Sequence, residues 1–446
     1  MDQTAAKRVL PFDVTNRLVL AVAVPMMLAY LTTPLLGIVD TAVVGRLGDA
    51  ALLGGLAAGA VIFDVVFNTF NSLRSSTTGL VAQAHGRHDP EEERAILMRS
   101  LTASAAFGVV LICLTPAVAA AGVWFIDPEP RVAEAMRTYI GIRMLAAPLT
   151  LINFSILGYV LGRGEGTLGL LLQVLLNGAN ISLSILLGLK LGWGLEGVAW
   201  GTVAGELLAA LAGLFIVVRR FSGMARLTAA RVFDIPAILR MLALNGDIMI
   251  RSFSLLAAFA LFTRQGAQLG TVTLAANAVL MNFFLVAGYF LDGFATAAEQ
   301  LAGRAVGARY EPAFRRAVWL TSLWGFVLAG ASSIIFLLFG ERFIDLVTTA
   351  PEVREMAATF LPWAALTAVT GVLAFQMDGV FIGATWSRDM RNMMLLSFMV
   401  FVAALLAFGH YFGNHGLWAA LHVFLIARGL SLFAILPRSM RATFQT

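Results

Sequence analysis

The chain has 446 residues, of which 59% are hydrophobic and 13% charged, about half the charged share of a soluble domain; its mean hydropathy is +0.84. That composition places it among membrane proteins, with room for about a dozen spans joined by short loops. The formal net charge of +5 does not imply a nucleic-acid partner, because the arginines lie at the ends of apolar runs and form no basic face.

Twelve apolar runs follow one another: Leu18–Val44, Ala51–Ala84, Ser100–Phe125, Thr138–Leu161, Leu168–Leu189, Leu195–Val218, Ile235–Phe262, Val272–Ala302, Ala317–Phe339, Met356–Ile382, Met393–Tyr411 and Leu417–Leu436. The second and eighth exceed a straight span and are expected to bend, tilt or protrude. Lys7 and Arg8 precede the first run, but no short apolar region with a small-residue cleavage site follows them, so the first span is expected to be kept. Cys113, the one cysteine, allows no intramolecular disulfide; lying in the third run, it is expected as a buried filler.

Run one carries the most informative residue. Asp40 closes Pro34-Leu-Leu-Gly-Ile-Val-Asp40 inside an apolar stretch, where an ionised carboxylate costs about 2.5–3.5 kcal/mol. Taking up a proton removes that cost. No Lys or Arg stands at helical spacing on the same run, so a local ion pair does not explain it. Pro25 and Pro34 interrupt the run and favour a bend, and Pro34 is close enough to Asp40 for bending and charge to be coupled.

Further polar residues mark faces that avoid lipid. Run two carries Asp64, Asn68, Asn71 and Ser75, with Arg74 free to snorkel or pair; run four carries Arg143 and Asn153. Run five lines up Gln173, Asn177, Asn180 and Ser184 on one helical face, and run six places Thr202 and Glu206 one turn apart. In the second half, Asp247 and Arg251 are four apart on run seven and positioned to neutralise each other. Asp292, Thr296 and Glu299 share a face of run eight, Asp378 lies on run ten, and Arg428 on run twelve needs a partner. Single Asn, Ser and Thr residues of this kind also serve as interhelical glue worth about 0.6 kcal/mol per bond.

Arginine placement sets orientation. Arg87, Arg94 and Arg99 flank run two; Arg219, Arg220, Arg226 and Arg231 follow run six; Arg304, Arg309, Arg315 and Arg316 follow run eight; Arg438 and Arg441 follow run twelve. These belong on the cytoplasmic side together with both termini. The chain also repeats itself: Leu47-Gly48 recurs as Leu269-Gly270, Gly86 ahead of Pro90 as Gly307 ahead of Pro312, Gly158-x-x-x-Gly162 as Gly379-x-x-x-Gly383, and Gly194-x-x-Gly197 as Gly413-x-x-Gly416, at an offset of 219–222 residues. Six spans separate the copies, which implies a parallel repeat about an axis along the membrane normal. The expected division is 1–220 and 235–446, with a cytoplasmic linker at 221–234.

No P-loop, HExxH or CxxC is present, and His85, His88, His410, His415 and His422 show no metal-ligand spacing. The chain resembles the multidrug and toxic compound extrusion (MATE) transporters and, within them, the DNA-damage-inducible F (DinF) branch. The resemblance rests on Pro34-Leu-Leu-Gly-Ile-Val-Asp40-Thr-Ala-Val-Val-Gly45, Ser76-Thr-Thr-Gly-Leu80 with Ala82-Gln-Ala84, Asn245-Gly-Asp-Ile-Met-Ile-Arg251, Leu291-Asp-Gly-Phe-Ala295, and Asp378-Gly-Val-Phe-Ile-Gly-Ala-Thr385 with Met390-Arg-Asn392.

That resemblance implies an all-α integral membrane protein of twelve transmembrane helices in two pseudo-symmetric six-helix lobes around a V-shaped cavity. It implies export of cationic, amphiphilic small molecules against proton or sodium entry. The proton-coupling aspartate falls on Asp40 and the bending proline on Pro25, with partner positions at Asn153, Asn180 and Thr202; Asn177 and Ser184 extend that network and Pro34 adds a second bend. Related members read Asn-Ile-Val-Leu-Asp where this chain has Asn180-Ile-Ser-Leu-Ser184, so Asp40 is expected to work with neutral partners. Sodium-linked members use acids in the seventh and tenth helices, which makes Asp247, Asp292, Glu299 and Asp378 an alternative cation site. The expectation is a secondary antiporter, not an enzyme, coupled to H+ with Na+ as the alternative. No cofactor, metal or nucleic acid is expected, and the chain is expected as a monomer in the lipid bilayer of the bacterial inner membrane. A lipid or lipid-linked-sugar flippase of the same fold is the other reading; it calls for a strongly basic cavity.

Overall fold

The structure, a computed structural model, describes residues 9–224 and 227–445, the side chain of His410 excepted. Lys7, Arg8 and Arg226 lie outside the described residues. The described residues are helical throughout, without strands. Twelve spans follow in chain order: α1 Asn16–Gly45, α2 Ala50–Gly86, α3 Pro90–Ile126, α4 Pro130–Leu145 plus Ala147–Gly162, α5 Gly166–Lys190, α6 Gly194–Phe221, α7 Ala229–Gln268, α8 Thr271–Gly307, α9 Glu311–Val347, α10 Pro351–Gly383, α11 Ser387–Gly409 and α12 Tyr411–Phe444. Eleven are single helices long and apolar enough to cross a membrane; the twelfth, α4, is a pair bent by 50°. The chain is therefore a multi-pass membrane protein.

Local chemistry explains where the helices begin and break. Asp49 caps α2 by accepting from the Ala51 amide at 2.9 Å, and Asp89 caps α3 by accepting from the Glu92 amide at 3.0 Å. Pro130 and Pro351 occupy the first helical positions of α4 and α10, where the missing N–H costs nothing. The long second run is interrupted by a turn at Asn71. In α8, 37 helical residues span about 55 Å and so must protrude from the hydrocarbon core.

The internal repeat is written into the backbone. Left-handed residues occur in pairs at the repeat register: Gly48 and Gly270, His88 and Arg309, Gly164 and Thr385, Gly194 and Gly413. Each pair ends or starts equivalent helices, so the two halves reuse one set of turns. Gly413, non-helical at φ +54°, kinks the first turn of α12 in a conformation that an L side chain would resist.

Two compact units result. The N-terminal unit comprises Leu28–Val81 and Asp89–Leu242; the C-terminal unit comprises the chain up to Met27, Ala82–His88 and Ala243 onward. The first packs Phe63, Phe67, Met136 and Met144 in one cluster and Val43, Tyr139 and Val198 in another. The second is built on Phe262, Phe284, Phe401, Trp418 and Phe424. There Asn277 and Asn414 exchange amide hydrogen bonds at 2.7 and 3.0 Å, and the Trp418 indole donates to the Asn277 oxygen at 2.9 Å. Helix α1 is shared along its length: Asn16 accepts from the Trp324 indole at 3.1 Å in the C-terminal unit, and Thr32 accepts from Asn177 at 2.6 Å in the N-terminal unit. The polypeptide remains helical through Pro25 and Pro34. Cys113 is exposed rather than buried, because it sits on a face of α3 that the fold leaves uncovered.

Candidate functional site

In the N-terminal unit one set of buried polar groups, Asp40, Asn177, Asn180, Ser184, Thr202 and Glu206, lies on α1, α5 and α6. Asp40, one turn and a half after Pro34, is 7% exposed. Its Oδ1 is buried without a hydrogen-bond partner. Ser184 and Arg143 are the neighbouring hydroxyl and cation that act on the carboxylate. Ser184 itself donates to Asn180 Oδ1 at 3.2 Å and approaches the Val198 carbonyl at 3.5 Å. That hydroxyl therefore has alternatives to Asp40.

The backbone around Ser184 is unusual. Helix α5 changes there into a π-helical stretch, Ser184–Lys190, a local rewinding often found at functional positions. Helix α6 approaches it through glycine: a Cβ on Gly201 would stand 2.6 Å from the Ser184 amide nitrogen. This close approach fixes Asn180 and Ser184, which are 1% and 0% exposed, against the start of α6.

Arg143 is the central cation. It sits in the last turn of the first α4 segment, just before the bend, which Pro148 follows. Its Nη1 donates to the Tyr139 hydroxyl at 2.6 Å, and its guanidinium lies 3.7 Å from the Phe63 ring centroid. Asp40, Asp64 and Glu206 all feel its charge, yet among the described residues it makes no salt bridge, and its Nε is buried without a partner. Asn153 donates to Glu206, at 2.6 Å to Oε2 and 3.0 Å to its carbonyl. The cluster thus holds three acids and one arginine, none of the acids in direct contact with it.

The sequence-expected partners divide accordingly. Ser184 and Asn180 form a chain beside Asp40, whereas Asn153 belongs to Glu206. Thr202 bonds back to the Val198 carbonyl on its own helix at 3.2 Å, and Asn177 ties α5 to Thr32 of α1. Tyr139 was missed; its signal was the four-residue spacing to Arg143. Arg74 donates to Asn71 at 3.2 Å and Ser75 at 2.8 Å.

The C-terminal unit arranges its ions differently. Arg251 Nη1 donates to Asp378 Oδ2 at 2.7 Å, and Arg428 Nη2 donates to the same oxygen. Asp247 does not pair with Arg251; it accepts from Arg391 at 2.5 Å and from Ser387 at 2.7 Å. For Asp247 the in-helix neighbour at four residues loses to a cation and a hydroxyl brought in by α11. Glu299 is 2% exposed, whereas Asp292 is exposed, so the two do not converge. Among the described residues no group of three or more His, Cys, Asp or Glu is placed to hold a metal ion.

Comparison with known proteins follows the repeat. The MatE family model matches twice, over residues 25–186 and 248–408. The chain is 38% identical to the DNA damage-inducible protein F of Escherichia coli (strain K12) over 94% of its own length and 91% of that protein. It is 25% identical to a probable multidrug resistance protein NorM of Chromobacterium violaceum, over 95% and 94% of the two chains. A crystal structure of MATE in the straight conformation superposes with a TM-score of 0.89 at 18% identity, covering 97% of each chain; at that identity the likeness speaks to the fold. With two tandem family matches and a full-length relative, the chain belongs to the MATE family of membrane transporters, in its DinF-type branch, and not to an enzyme family.

Proposed function

We propose that this chain is a proton-driven antiporter of the bacterial inner membrane. It exports cationic, amphiphilic small molecules, works as a monomer and keeps both termini in the cytoplasm. The observation that carries the reading is Asp40: a carboxylate buried in a membrane span, one oxygen without a donor, beside a hydroxyl that has other acceptors. An ionised carboxylate so placed is costly unless donors or cations turn toward it. Ionised, Asp40 draws on Ser184 and Arg143. Protonated, it releases the Ser184 hydroxyl to Asn180 and leaves Arg143 to Asp64 and Glu206.

Exchange follows from charge. Three acids around one arginine leave a formal excess of two negative charges when all are ionised. A proton and an organic cation both relieve that excess, so each weakens binding of the other. Bias between conformations then comes from differential affinity, and the membrane potential adds about 2.3 kcal/mol per charge per 100 mV. Relatives bearing multidrug resistance names support the cargo class, and the arginines at helix ends support the orientation.

Coupling to Na+ through Asp247, Asp292, Glu299 and Asp378 is the weaker reading, because Asp378 and Asp247 already hold guanidinium groups. The test is drug-dependent proton flux in proteoliposomes, wild type against Asp40→Asn. The expected result is flux in the wild type and background in the variant. Equal flux removes Asp40 from the mechanism, and flux that follows sodium and disappears in Asp378→Asn moves the site to the C-terminal unit.

A further inference from the structure

We propose that Arg251 and Arg428 form a subsite for an anionic group, a carboxylate on the transported molecule. Two guanidinium groups, from α7 and α12, converge on a single oxygen of Asp378 on α10. Both arginines stay charged at any physiological pH, so the cluster carries one positive charge more than its carboxylate balances. Among the described residues no second acid lies within salt-bridge distance of either; the nearby Asp247 is spent on Arg391 and Ser387.

The donors are also underused. Arg251 reaches, beyond Asp378, only the Ser252 hydroxyl at 3.3 Å, and Arg428 faces the Phe375 ring at 5.8 Å. The Nε groups of both are buried without a hydrogen-bond partner. The Arg428 side chain is 4% exposed, while Arg251 keeps 16% of its side chain accessible. A deep, unpartnered donor behind a partly open one is an arrangement that a carboxylate completes, since guanidinium forks match its two oxygens.

Both arginines together tie α7 and α12 to α10, but one guanidinium already balances the Asp378 carboxylate. The second supplies a positive charge that no carboxylate at the cluster neutralises. The cargo that this subsite favours is then an amphiphile carrying a carboxylate. This extends the transporter reading to a substrate class, but equilibrium binding needs no ion gradient, so the result is independent of proton coupling.

The test compares two dyes that differ only at this group, rhodamine 110 (free carboxylate) and its methyl ester rhodamine 123, binding to the full chain in lipid nanodiscs by fluorescence anisotropy. The wild type is expected to bind the acid about tenfold more tightly than the ester, the scale of a charge-assisted hydrogen bond. Arg251→Gln leaves Arg428 on Asp378, so it is expected to fold, with a lowered melting temperature, and to lose the preference; Arg251→Lys is expected to restore part of it. Equal affinity of the wild type for the two dyes overturns the proposal, as does a preference that survives Arg251→Gln.

Discussion

The N-terminal unit sets three acids, Asp40 and Glu206 buried and Asp64 exposed, around Arg143 without one direct ion pair, whereas the C-terminal unit brings a buried and a partly buried arginine onto one oxygen of Asp378. The first cluster is acid-rich and loosely partnered; the second is base-rich and tightly paired. Tight buried pairs are strongly destabilised when one partner goes, so they hold helices together and resist rearrangement. A loosely partnered carboxylate can change protonation without dismantling its surroundings. The contrast fits the proposed division, with ion exchange at Asp40 and charge selection at Arg251 and Arg428.

Substitutions break or sharpen that contrast. Asp40→Asn has the largest expected effect: drug-driven proton flux in proteoliposomes falls to background, about 100-fold or more, while the protein still folds, since a neutral side chain is easier to bury. Asp378→Asn leaves two buried guanidiniums without an anion and is expected to cost about 3–5 kcal/mol, read as a lower melting temperature. Arg143→Gln strands the acids instead, and its stability deficit is expected to shrink as pH falls, because a protonated carboxyl needs no counter-ion; a deficit equal at every pH contradicts the acid-rich description. Gly201→Ala pushes a methyl against the Ser184 backbone and is expected to cost about 1–3 kcal/mol, with slowed transport. Smallest is Ser184→Ala, about 1 kcal/mol of stability, with a shift in the pH dependence of transport that an unchanged profile would contradict.

Much of this was legible along the chain. Twelve apolar runs become twelve spans because glycine, proline and capping aspartates punctuate them, and the weak glycine repeats reappear as paired left-handed residues. Asp40 stood out because one acid in an apolar run has no neighbour to hide it. Less visible was everything decided between helices. Sequence spacing sees neighbours on one helix, so it offered Arg251 to Asp247, while the fold gives Asp247 to Arg391 and Arg251 to Asp378. The family resemblance, not spacing, put Asn153 and Thr202 with Asp40; in the structure Asn153 donates to Glu206 and Thr202 to a carbonyl of its own helix. The π-helical turn at Ser184 has no sequence signature apart from the glycines of α6 that let the two helices touch.

The central claim is that Asp40 changes protonation within the range over which the protein works. Infrared difference spectroscopy of the purified protein in lipid, between alkaline and acidic buffer, reads this directly. The account requires a protonated carboxyl band that grows on acidification in the wild type and is missing from Asp40→Asn. A band identical in the two proteins, or none in either, would mean that Asp40 stays ionised and the driving proton is carried elsewhere.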